Sequence, residues 1–241
     1  MSKNVWLSSV AAACFAIAAC AATPASAADS NADSASVAIS PQTEAVAAAG
    51  MAHALAKYGE KTKDPVALLA AARILQAIGG VPLTTPVERE GLATSTPEKP
   101  AVAFDSAASA MKAARNLAKG QAPLLAMIDD TEKSGSRKAF NGSIDRHDIV
   151  FLVRSDTVRS NGTDVYNIPL IAREPWRVSL SGDGDETLLL LVYDENGHEI
   201  CRDIDNKVFS ASCSVTPKWA GIYKVKIQNT GPTPVRYVIH F

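Results

Sequence analysis

The feature that most constrains this chain is a change in the spacing of its apolar residues. Up to about Gly135 they recur at helical spacing; beyond it they recur at every second position. Trp176, Val178 and Leu180 alternate with Arg177 and Ser179, and Tyr223, Val225 and Ile227 with Lys224, Lys226 and Gln228. Ile149, Phe151 and Val153 form an earlier run of this kind, and Tyr237, Ile239 and Phe241 a last one. Turn residues separate the runs: Asn161-Gly162, Gly182 to Gly184, Asn196-Gly197 and Asn229 to Gly231. Short alternating strands with such punctuation predict an antiparallel, jelly-roll-like β-sandwich over residues 138–241. With helices before it, the expected fold class is α+β.

One strand differs from the rest. Leu188, Leu190 and Val192 face one side and Leu189, Leu191 and Tyr193 the other, so both faces are apolar. The expectation is a central strand whose outer face is covered by the helical half, making the two halves one packed unit.

Residues 40–134 read as an Ala-rich helical region. Ser40-Pro41 pairs a favoured N-cap with a favoured first helical residue, and Asp64-Pro65 repeats the signal. Gly59 and Gly79-Gly80 are the expected stops, and the short turn between the two helices predicts an antiparallel hairpin. The stretch near 80–103 is rich in Pro and Thr, has no sustained period and reads as a linker. A third helix is expected from Asp105, as its cap, to Gly120, and a fourth from about Pro123. The helical pair has no second copy, which argues against a repeat array.

The start of the chain reads as an export signal. Lys3 precedes an apolar run from Val5 to Cys20, and Ala25-Ser26-Ala27 has the small-residue spacing of a cleavage site, so residues 1–27 are expected to be a signal peptide. Residues 28–39, mostly Ala, Ser, Asp and Asn, read as a disordered tether. A rival reading starts from Ile17-Ala18-Ala19-Cys20, which resembles a lipobox and would make Cys20 the lipidated first residue of a structural lipoprotein. No later segment approaches ~20 apolar residues, so no transmembrane segment is expected in the mature chain. Of the cysteines, Cys201 and Cys213 lie outside the signal region, and in an exported chain they are expected to form a disulfide. A formal net charge of -1 leaves no electrostatic case for binding nucleic acid.

Several segments resemble the bacterial pre-peptidase C-terminal domain, a small β-sandwich appended to exported proteins. They are "FNGSIDRHDIVFLV", "WRVSLSGDGDETLLLLVYDENGHEICRDID", "CSVTPKWAGIYKVKIQN" and "RYVIHF". The likeness rests on the Gly/Asp turn at Gly182 to Asp185, the Asp-x-x-Gly turn at Asp194 to Gly197, Trp219-Ala220-Gly221-Ile222-Tyr223, and Asn229. It implies a sandwich fold and an exported context and carries over no catalytic activity. The family's alternating Asp positions are Thr187 and Leu189 here, which removes carboxylates that a cation would need.

The candidate chemistry is sparse. Asp183 and Asp194 lie at opposite ends of one strand, too far apart to share an ion. Asp194 and Asp203 flank a hairpin, so they, with Asp205, are the set that would hold calcium; the alternative is that these acids form turns. Trp176 begins an inward alternation, which leaves Trp219 as the aromatic available to a ligand. Lys224, Lys226, Arg236, Lys207 and Lys218 form either a basic patch for an acidic polymer or a solvated sheet face. His53, His147, His198 and His240 fall in no catalytic motif, and no catalytic residue or cofactor other than calcium is nominated. The leading expectation is a periplasmic or secreted, non-catalytic interaction module of the bacterial cell envelope. Its partner would be an envelope protein or polysaccharide. The alternative is a hydrolase or peptidase-associated accessory protein whose site lies between helices and sheet. A deep polar cleft there would favour the enzyme, and a filled apolar junction the binding module.

Overall fold

The structure is a computed structural model that describes residues 29–33, 38–91, 105–141, 152–207 and 210–241. Cys20, the signal-peptide segment, His147, Ile149 and Phe151 lie outside the described residues.

The first helix, α1 (Pro41–Thr62), starts where its capping residues dictate. The Ser40 hydroxyl accepts from the Thr43 backbone N–H at 3.2 Å, and Thr43 Oγ1 accepts from that of Ser40 at 2.8 Å, a reciprocal capping box. The helix passes through Gly59 and ends at Thr62, with Lys63 in the left-handed conformation at φ 59°. Gly59 serves packing: a Cβ there would sit 2.8 Å from Leu68 Cγ of α2 (Pro65–Ile78). Asp64 caps α2 by accepting from the N–H groups of Val66 and Ala67. The cap of α3 (Ala107–Leu117) is Ser106, not the expected Asp105, which instead accepts from Arg236 Nε at 2.9 and 3.0 Å. The last helix, α4 (Ala122–Asn141), runs through Gly135, since one helical glycine costs only about 1 kcal/mol.

Two mostly antiparallel five-stranded sheets make a sandwich. The first orders β1 (Val81–Pro82), β3 (Leu152–Val158), β10 (Val235–His240), β5 (Trp176–Gly182) and β8 (Ala211–Val215). The second orders β2 (Glu88–Glu90), β4 (Thr163–Leu170), β9 (Gly221–Asn229), β6 (Leu188–Tyr193) and β7 (Glu199–Asp205). Only β1 runs parallel to its neighbour among the described pairings. Residues 81–90, inside the stretch that reads as a linker, thus supply a short edge strand to each sheet. Inward alternation fills the space between the sheets. Trp176, Val178 and Leu180 meet Leu188, Leu190 and Val192, Tyr223, Val225 and Ile227, and Tyr237, Ile239 and Phe241.

The helices cover one face of this sandwich, and it is not the one expected. They pack on the first sheet, where Val238 of β10 joins Ala56, Leu68, Leu69, Ala114 and Ile128 in a second core. Strand β6 belongs to the other sheet, next to the edge strand β7. Its outward Leu191 is shielded by side chains of its own sheet: Arg202 and Lys226 are its register partners, and their long aliphatic stems lie over apolar neighbours. Among the described residues no helix is long and apolar enough to cross a membrane.

The described part of the expected tether is docked on the sandwich. Asn31 is fully buried, Ala32 packs on the sandwich core, and the Asp33 N–H donates to the Thr216 carbonyl at 3.0 Å.

Candidate functional site

The junction between helices and sheet is filled beneath α1 and open along its margin. Val46, Ala49, Ala52, His53 and Ala56 form the buried face of α1. Within this interface His53 and His240 are both buried, with ring centroids 4.9 Å apart. Burial lowers the His240 pKa to about 4, so the ring is neutral near pH 7.

The other face of α1 lines a groove. Positions 47, 50, 51, 54, 57, 58 and 61 lie on one side of the helix at three- and four-residue spacing, and two connected depressions of about 210 and 410 Å³ run beneath them, sharing Ala54. The opposite wall comes from β5 and β8 and from the loops that follow β5 and β7. Gly50 lets the helix come this close: a Cβ there would lie 2.8 Å from Ser179 Oγ, and the Ser210 hydroxyl donates to the Gly50 carbonyl at 3.2 Å.

The smaller depression holds Arg177, Ser179, Ser210 and Ser212. Arg177 Nη2 reaches Ser212 Oγ at 3.3 Å, and its Nε is shielded with no acceptor among the described residues. The larger one holds Lys57, Tyr58, Lys61 and Lys207, with Glu60 and Asp183 as counter-charges. Asp183 is already engaged, accepting from the N–H groups of Asp185 and Arg236. Lys57 pairs with the buried Asp205 at 3.2 Å, and Lys207 with Glu186 at 3.6 Å. Neither Arg177 nor Lys61 forms an ion pair among the described residues. Met51 and Tyr58, 64% and 56% exposed, stand between these two cations on the helix.

The sequence-nominated residues fall elsewhere. Cys201 and Cys213 form a disulfide joining β7 to β8, the edge strands of the two sheets. Asp194, Asp203 and Asp205 are not brought together. Asp203 pairs in register with Leu190 and Asp205 with Leu188, which puts Asp194 about 13 Å or more along the strand from either. Each has its own donors. Asp203 accepts from the Ser212 and Ile204 N–H groups; Asp205 accepts from Lys57, Gly182 N–H and Lys207 N–H. Burial raises the Asp205 carboxyl, against the pull of Lys57. Asp194 takes the N–H groups of Asn31, Asn196 and His198, and the His198 ring at 2.9 Å. Burial alone would raise its carboxyl, but these bonds outweigh it and hold it low. Among the described residues no three His, Cys, Asp or Glu side chains group as metal ligands would. The five cations of the expected basic patch are dispersed: Arg236 is held by Asp105, Lys226 by Glu90, and Lys218 by the Ser30 carbonyl.

Trp219 is 40% exposed, as expected of a ligand-facing aromatic, but its polar atoms are committed. Its indole N–H donates to Glu195, its backbone N–H to Asn31 Oδ1, and its carbonyl accepts from Asn31 Nδ2 at 3.0 Å. Glu195 also accepts from Asn31 Nδ2, and the Tyr223 hydroxyl donates to the Asn31 carbonyl. This is a socket for the chain's own N-terminal segment.

The groove residues Arg177, Ser179, Ser210, Ser212 and Lys61 were not singled out in the sequence. The available signal was the outward half of the β5 alternation, Arg177 and Ser179, beside a helix with a second row of spaced residues.

Fold and site together define an α+β protein whose helical layer and sandwich edge share a cation-bearing groove. No protein-family model matches the chain, and no curated protein is significantly similar to it.

Proposed function

We propose that this is an exported, non-catalytic binding module of the bacterial cell envelope, and that the α1 groove is its ligand surface. The observation that carries this reading is the pairing of two uncompensated cations, Arg177 and Lys61, with exposed Met51 and Tyr58 in one groove. Leaving a half-buried guanidinium without a carboxylate is unfavourable for folding alone, and a ligand offsets it. The hydrolase alternative draws less support: Ser181 and Ser210 hydrogen-bond to each other, and the junction's histidines lie under the opposite face of α1. Export is supported by the Cys201–Cys213 disulfide and by the signal-like start. The strand order β3-β10-β5-β8 facing β4-β9-β6-β7 supports a jelly-roll reading, and with the motif likeness a kinship with the pre-peptidase C-terminal domain.

The test is site-specific photo-cross-linking in intact cells. A photoreactive residue replaces Met51 or Tyr58, with Ile222 on the far sheet as an equally exposed control. Enriched capture from the two groove positions is expected. Equal capture at Ile222, or none from the groove, would sink the reading.

A further inference from the structure

We infer that the groove takes an extended acidic peptide segment, with one carboxylate at Arg177 and a second near Lys61; this rests on the groove being the ligand surface. Three observations converge on that class. The first is charge. The Arg177 guanidinium is half-buried, its Nη2 touches only a hydroxyl, at 3.3 Å, and no carboxylate among the described residues neutralises it. Ser179 and Ser212 place hydroxyls beside it, so an oxyanion there gains donors as well as a charge. Lys61 repeats the uncompensated charge at the other end of the same helix face.

The second is the order of the lining. From one end to the other it runs cation with hydroxyls, Met51, Tyr58, cation. Alternating charged and apolar groups are what peptide side chains offer. An anionic glycan bears its charge on each ring and has no apolar branch for Met51. The third is length. Positions 47 to 61 of α1 span about 21 Å at 1.5 Å per residue, which an extended peptide covers in about six residues. Strand pairing is not the mode of capture, because the exposed edge of β8 is already engaged: the Ser212 N–H donates to Asp203 at 2.7 Å.

The experiment uses the full chain and a fluorescent heptapeptide of alternating Glu and Leu, followed by anisotropy. Binding is expected to weaken with salt and to vanish when Gln replaces Glu in the peptide. Arg177→Gln and Lys61→Gln should each weaken it about tenfold. Lys61 lies on an exposed helix face, so its variant reports on binding even if Arg177→Gln disturbs folding. Equal binding of the Glu and Gln peptides, or indifference to both substitutions, overturns the inference. So does polygalacturonate binding where the peptide does not, which would reassign the groove to an anionic glycan. If Met51 and Tyr58 still cross-link a partner while the peptide fails, the binding-module reading survives and the acidic-peptide inference falls. If the groove captures nothing, the reading itself is lost.

Discussion

Asn31→Ala separates a docked N-terminal segment from one that merely lies nearby. The Asn31 amide donates to the Trp219 carbonyl and to Glu195 at 3.0 Å each, and its oxygen accepts from the Trp219 N–H at 3.0 Å. Two neutral bonds at about 1 kcal/mol and one to a carboxylate at about 1.5–3 kcal/mol set a gross loss near 4 kcal/mol. Glu195 and Trp219 sit at the surface, so water recovers part of it, and the expected net loss is about 2–3 kcal/mol. For a chain of this size that lowers Tm by about 5–10 °C. There is also a ceiling. Once the segment detaches, nothing more is lost, so Asn31→Ala cannot cost more than deleting residues 29–33. Urea denaturation of wild type, Asn31→Ala and the deletion gives all three values. Trp219 emission should shift to the red in both variants, because its indole N–H partner Glu195 loses its anchor; Trp176, 9% exposed, stays put. Unchanged stability and emission in Asn31→Ala, or a loss greater than that of the deletion, would refute the reasoning.

Three further outcomes are expected. Asp205→Ala removes the partner of Lys57, itself 9% exposed, and the acceptor for two backbone N–H groups; it should cost about 3–5 kcal/mol by chemical denaturation. Replacing Cys201 and Cys213 by Ser opens a loop of sequence separation 12 and should cost about 3 kcal/mol, matched in wild type by adding reductant. His240, whose folded pKa of about 4 lies below its unfolded value, holds its full stability above pH 6.5 and loses about 3 kcal/mol as pH falls through 6.5 to 4. Burial raises the Asp164 and Asp205 carboxyls, which titrate with the opposite sign, so the His240 share is read as the difference from His240→Leu; equal acid slopes would contradict it.

Much of the fold was legible because local chemistry decides it. Ser40-Pro41 and Asp64-Pro65 start helices in the structure as in the sequence, and the inward sets of β5, β6, β9 and β10 follow the alternation. What escaped was decided at long range. β1 and β2 are two and three residues long and exist only because β3 and β4 offer open edges, so a Pro-rich stretch with no period hides them. Asp105 and Ser106 are both competent caps, and Arg236, 131 residues away, decides between them by taking Asp105. Asn31 sits in a segment whose composition signals disorder, and its socket is built from Asp194, Glu195, Trp219 and Tyr223. The two-faced strand β6 misled for a related reason. An apolar outer face can be shielded by the stems of Arg202 and Lys226 as well as by a helix, and only the sheet order tells which.

The groove belongs to neither half of the molecule. One wall is α1 and the other is β5 and β8, and they are held in place by contacts that cross between halves: Lys57 to Asp205, Gln42 to the Arg177 backbone, and Ser210 to the Gly50 carbonyl. A sandwich stripped of its helices would lose the Met51, Tyr58 and Lys61 wall and expose the apolar Val238 surface. Helices without the sandwich would lose Arg177 and its hydroxyls. A likeness confined to residues 138–241 therefore cannot carry this protein's binding function, because half of the site lies outside the likeness. The Lys57–Asp205 pair lies beneath the groove wall, so loosening it should weaken ligand binding together with stability, whereas substituting Lys61 should weaken binding alone.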